Sequence, residues 1–130
     1  MRFLVLVAAL AVACSPARED EPDLRAFGNE PFWNVTISVA DGIVYGRLGE
    51  PDVRFPYSAP VSVAEGSASR VWGPVPAAEG EHEIQIRVSE EPCQDTMADI
   101  VHPMRATVTL DGEVLTGCAR RLDDPPTETP

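Results

Sequence analysis

Between residues 25 and 122 apolar and polar positions alternate with a period of two, and no long segment keeps a helical period. Trp33, Val35, Ile37 and Val39 alternate with Asn34, Thr36 and Ser38 before Asp41-Gly42, which predicts a hairpin with one buried face. A two-residue turn there sets Val39 against Val44, Ile37 against Gly46 and Val35 against Leu48. The pattern recurs at Ile84, Ile86 and Val88, and again at Met104, Ala106, Val108 and Leu110 before Asp111-Gly112. Shorter strands broken by Pro and Gly fall around residues 61–63 and 70–75. Roughly six to eight short antiparallel strands predict an all-β fold, a small antiparallel β-barrel or sandwich.

The segment "CQDTMADIVHP", residues 93–103, is the exception and reads as one short helix, with Asp95 capping its first turn and Pro103 ending it. Met97, Ile100 and Val101 then need an apolar surface, and plugging an open end of the barrel would supply it.

At the other end of the chain, Arg2 precedes the apolar run "FLVLVAALAVA", which meets Cys14 after Ala13. A charged start, an apolar middle and a small-residue exit make residues 1–13 a signal peptide, and the run is too short to span a membrane. Ala11-Val12-Ala13-Cys14 also resembles a bacterial lipobox, with Ala11 where Leu is usual. Of the three cysteines, Cys93 and Cys118 can pair after export, which leaves Cys14 odd and assigns it to lipidation. Ser15 after it resembles outer-membrane sorting, so the expected location is the outer membrane, facing the periplasm. Residues 14–24 then form a lipidated tether, 25–122 the single folded domain, and 123–130 a disordered tail, both ends being rich in Pro and acids.

Bridging Cys93 to Cys118 closes a loop of about 26 residues and contributes roughly 3 to 4 kcal/mol by chain entropy. The turn at Asp111-Gly112 decides where that bridge lies. A two-residue loop puts Cys118 opposite Arg105, away from Val108 and Leu115; a three-residue loop with a bulge turns it inward opposite Ala106. The alternation alone allows both, and the apolar residues of the helix favour the inward plug.

Charge narrows the function classes. All ten basic residues are arginine, set against 21 acids, a net charge of −11; removing residues 1–13 takes away only Arg2 and leaves about −12. Such a chain repels polyphosphate, so nucleic acid is an unsuitable partner. The expected partners are the membrane, through the lipid anchor, and an envelope protein or small ligand.

Candidate chemistry is sparse. Asp95, Asp99 and His102 would share one face of a helix at a spacing suited to a metal, yet the helix is short and no second His joins them; no metal site and no cofactor is expected. They remain candidate ligand contacts, as does Trp72 between Gly and Pro breakers, whereas Trp33 alternates inward as core. Glu81-His82-Glu83 alternates faces and makes no cluster. There is no Gly-x-Ser-x-Gly elbow and no phosphate-binding glycine loop, so an enzyme is the minority reading, with Glu30 and Asp95 as its only carboxylate pair. In "FGNEPFW", Gly28 and Asn29 suit a turn, Pro31 extends Glu30, and Phe32 and Trp33 start a strand. Glu30 alone is unexplained; it is expected to clamp the barrel's end, with Arg105 or N–H groups near Cys93 as donors, or to contact a ligand.

"GNEPFW" near the start and "CQDTMAD" with "HPMRATVTLDGEVLTGCA" near the end together resemble a family of uncharacterised bacterial envelope lipoproteins. That family opens on Gly-x-Glu-Pro-Phe-Trp and closes on Cys-x-Asp-x-Met-Ser-Asp, Tyr-Pro and Gly-Cys; here Ala98 and His102 replace the Ser and the Tyr. The likeness spans the domain, and is looser to META-domain lipoproteins and to periplasmic inhibitors of c-type lysozyme. It implies an outer-membrane-anchored, non-catalytic protein acting as a binding or envelope-integrity module. The alternatives are an inhibitor of a lysozyme-type hydrolase, to which an acidic surface is suited, and a small enzyme or metal-binding protein.

Overall fold

The structure is a computed structural model and describes residues 22–63, 68–95, 99–123 and 127–128. The expected signal peptide, Cys14, most of the expected tether, and Met97 and Ala98 lie outside the described residues.

Strands β1 (Leu24–Asn29), β2 (Phe32–Ser38), β3 (Gly42–Arg47), β4 (Val53–Phe55), β5 (Val61–Val63), β6 (Ser69–Pro76), β7 (Glu83–Ser89), β10 (Met104–Leu110) and β11 (Glu113–Arg121) form one antiparallel sheet in the order β4-β3-β2-β1-β11-β10-β7-β6-β5. A second, three-stranded sheet joins β8 (Cys93–Asp95), β9 (Ile100–His102) and β12 (Thr127–Glu128) in the order β12-β9-β8. The fold is thus all-β, with more strands than expected and no helix among the described residues.

The large sheet curls around a single core. Apart from the irregular β6, every second residue of the long strands faces inward, among them Leu24, Ala26, Trp33, Val35, Ile37, Ile84, Ile86, Val88, Ala106, Val108 and Leu115. Burying one such aliphatic side chain stabilises by about 1.5–3 kcal/mol, which is why the period-two pattern selects this sheet. At one point of the open side, the Ala78 N–H donates to the Arg54 carbonyl at 3.0 Å and ties the β6–β7 connection to β4.

At Asp111-Gly112 the structure takes the two-residue turn and not the three-residue loop with a bulge that the inward plug needs. Leu110 pairs with Glu113 across a two-residue turn in which Asp111 and Gly112 both have positive φ, 51° and 84°, as a type I′ hairpin requires. Cys118 consequently lies opposite Arg105, on the outer face. The inward plug is therefore overturned.

The first hairpin differs. Ile37 pairs with Ile43 and Ser38 with Gly42, so three residues rather than two connect β2 to β3. Ser38 Oγ accepts the N–H groups of Ala40 and Asp41 at 3.2 and 3.3 Å, and Gly42 takes φ 80°. A Cβ at Gly42 would lie 2.6 Å from the Phe55 carbonyl oxygen. The change of register exchanges the faces of β3: Ile43 and Tyr45 are buried, while Leu48, expected inside, is 79% exposed. Alternation within β2 was read correctly; the loop's side-chain cap decided the rest.

Residues 93–103 are the second correction. Cys93 pairs with His102 and Asp95 with Ile100 in a β-hairpin, so Asp95 is a strand residue and not a helix cap. The hairpin lies on the outer face of β11, where the Cys93–Cys118 disulfide fastens it. At the chain's two ends, Leu24 belongs to β1 and is buried, and Thr127 and Glu128 pair with Val101 and Ile100.

Candidate functional site: a cleft at the disulfide

Three stretches that are remote in sequence meet on the outer face of the large sheet. The first is the end of β1 and the tight turn Glu30-Pro31, whose peptide bond is cis, leading into β2 with Asn29 opposite Phe32. Gly28 and Asn29, expected in the turn, are therefore the last residues of β1. The second is β8, and the third is the pair of neighbouring strands β10 and β11 around Arg105 and Thr116. Between them opens a cleft of about 330 Å³ whose walls include Asn29, Glu30, Gln94, Asp95, Arg105 and Thr116. Its floor is Gly28, Gly117 and the disulfide.

Two glycines allow the stretches to come this close. A Cβ at Gly117 would run into the Phe27 carbonyl, and one at Gly28 into the Trp33 indole. Neither has an unusual φ, so each is a glycine for lack of room.

Asn29 Nδ2 donates to Asp95 Oδ1 at 2.9 Å and joins the β1–β2 turn to β8. The other oxygen, Asp95 Oδ2, stands 3.9 Å from His102 Nε2. His102 is 4% exposed, packs edge-on against Phe27 with ring centroids 4.7 Å apart, and neither of its ring nitrogens has a hydrogen-bond partner among the described residues. Burial holds its pKa below the ordinary imidazole value; Asp95 opposes that shift and Arg120 adds to it. His102 is neutral at pH 7.

Arg105 closes the far side of the cleft. Its Nε lies 3.7 Å from Glu91 Oε2, in a pair whose side chains are 56% and 45% exposed.

The sequence-predicted residues separate accordingly. Glu30 and Asp95 share the cleft, and Glu30 is exposed at its mouth, so the buried clamp expected of it is not what it forms. Asp95 and His102 meet, through cross-strand placement and not through a helix face. Asp99 is exposed on the β8–β9 connection with φ 48° and is not a wall of the cleft. Trp72 is 2% exposed and belongs to the core, with the Arg70 guanidinium 5.3 Å from its ring centre. The reason is a bulge: Trp72 pairs with Ile86 and Val75 with Ile84, so Gly73-Pro74 is looped out and both flanking side chains face inward. His82 pairs with Asp111 at 2.6 Å beside the β10–β11 turn, and Glu81 and Glu83 are exposed.

Sequence reasoning missed the Asn29–Asp95 bond, Gln94 and Thr116. Arg105 was legible as a donor, but its place opposite Cys118 was one of two registers that the alternation allowed. A wider groove of about 680 Å³ along β1–β3, with Phe32 and Leu48 in its lining, contains none of the predicted contact residues.

No protein-family model, curated protein or solved structure matches the chain.

Proposed function

We propose that the protein is a non-catalytic binding module of the bacterial cell envelope, held to the outer membrane by a lipid on Cys14 and facing the periplasm. The curled sheet is read as the wall of a small β-barrel, and the cleft at its disulfide as the place where a small ligand or envelope component binds. One observation carries the reading: Gly28-Asn29-Glu30, Cys93-Gln94-Asp95 and Gly117-Cys118, the stretches that carry the resemblance to envelope lipoproteins, line one cleft. A disulfide and the Asn29–Asp95 bond brace that cleft, as a preformed binding site needs. Asp95 is oriented by Asn29 and backed by a neutral imidazole, which favours a fixed binding wall over a carboxylate that exchanges protons with a substrate.

Two measurements test it. Mass spectrometry of the membrane fraction is expected to find Cys14 acylated and Cys14→Ser in the soluble fraction; an unmodified Cys14 thiol overturns the anchor. A photo-crosslinking residue placed at Gln94, in the cleft, is expected to trap a defined envelope component that the same group at Gln85, exposed on β7, does not. Identical adduct patterns at the two positions overturn the binding role.

The acidic surface supports a second reading, inhibition of a lysozyme-type hydrolase, since net charge of −11 attracts a basic partner. Salt-sensitive binding to a basic lysozyme is its test, and absence of binding at micromolar concentrations removes it.

A further inference from the structure

We propose that the cleft receives a small zwitterion about as long as a dipeptide, with its ammonium group between Glu30 and Asp95 and its carboxylate on Arg105. The proposal names the ligand class of the site described above and rests on the binding reading.

Opposite charges stand on opposite walls. Phe27 and Arg105 both pair with Cys118 in register, one on β1 and the other on β10, so the three residues form a row across the outer face. Glu30 and Asp95 belong to the β1 side of that row, joined by Asn29, and Arg105 to the β10 side. Two strand spacings put the walls about 10 Å apart at the backbone. Side chains reaching inward leave room for a molecule whose charges are about 7 Å apart, which is two residues of extended chain.

Size agrees with this. A cleft of about 330 Å³ is at the small end for ligand sites and suits a short ligand. Gln94 and Thr116 add neutral hydrogen-bonding groups to the lining. Asp95 is held in place by Asn29, so its position is set before the ammonium arrives. Among the described residues Arg105 makes a long, exposed contact to Glu91, which a bidentate carboxylate readily displaces.

Calorimetry on the full mature chain in detergent tests the proposal with dialanine, N-acetyl-dialanine, dialanine amide and alanine. Dialanine is expected to bind one site, with the two blocked forms and alanine at least about tenfold weaker. Glu30→Gln is expected to weaken dialanine but not N-acetyl-dialanine, and Arg105→Gln to weaken dialanine but not the amide. Both residues are exposed, so unchanged thermal midpoints are expected of both variants. Equal affinity for dialanine and its amide makes the cleft a cation site and overturns the zwitterion while leaving a binding cleft in place. Equal affinity for alanine overturns the dipeptide length. No binding of any probe at about 10 mM, the weak limit of specific recognition, overturns the proposal outright. The binding-module reading is decided separately, by the Gln94 cross-link.

Discussion

His102 is the residue with the least obvious place in this protein: buried, neutral, and without a hydrogen-bond partner on either nitrogen among the described residues. Its effect on stability has a definite sign. In the unfolded chain the imidazole takes up a proton as pH falls through about 6.5, whereas burial holds the folded group below that value. Between the two pKa values the unfolded state binds more protons, so the stability present in full above about pH 6.5 is progressively lost as pH falls toward the folded pKa. The thermal midpoint is expected to drop between about pH 7.5 and 5, and His102→Phe, which keeps a ring against Phe27, to flatten that dependence. Parallel curves for the two proteins would show that His102 is not the group responsible. The same scale explains the misplaced residues. The Gly and Pro neighbours of Trp72 suggest a partly exposed contact, but those breakers form a bulge that keeps it inside.

Among the elements, the β8–β9 hairpin depends most on a single link. Its strands are three residues each, too short to be stable alone, and it lies on the outer face of a sheet whose own core faces the other way. The disulfide is the covalent link that holds it there, with the Asn29–Asp95 bond and the His102–Phe27 contact beside it. Replacing Cys93 and Cys118 together by Ala is expected to cost about 3–4 kcal/mol in urea unfolding, from the entropy regained by the open loop. Hydrogen exchange is expected to quicken first at Cys93–Asp95 and Ile100–His102, with the β10–β11 ladder still protected. Uniformly faster exchange would mean that the hairpin is integral to the core and not a fastened layer. This element was also the least legible in the sequence. Three-residue strands are too short to display a period, and the Asp and Pro at the ends of the segment suit a helix equally well.

At the scale of the whole molecule, charge and shape act in opposite senses. Ten arginines face 21 acids, and curling the sheet around one core brings those acids closer together than they are in the extended chain. Salt screens that repulsion. Raising ionic strength from about 20 to about 300 mM, which shortens the screening length several-fold, is expected to raise the thermal midpoint. The exposed Arg47–Glu113 pair, at 3.1 Å, is weakened by the same salt but counts for less than the net charge. A midpoint that falls with salt would place surface ion pairs ahead of net repulsion.

The sequence by itself determined the all-β class, the inward faces of β2, β7 and β10, and the partner of Cys93. Each of these follows from an interaction within a strand or from counting cysteines. Only the tertiary structure decided which face of β11 carries the disulfide's hairpin, how β3 is registered, and that Asn29, Glu30, Asp95 and Arg105 surround one cleft. The physical reason is the same in all three cases. A period of two says which residues share a face, but not how many residues a loop takes, nor which outer face a short segment covers. Those depend on the Ser38 cap, on glycines placed for want of room, and on strands far apart in the chain meeting across the sheet.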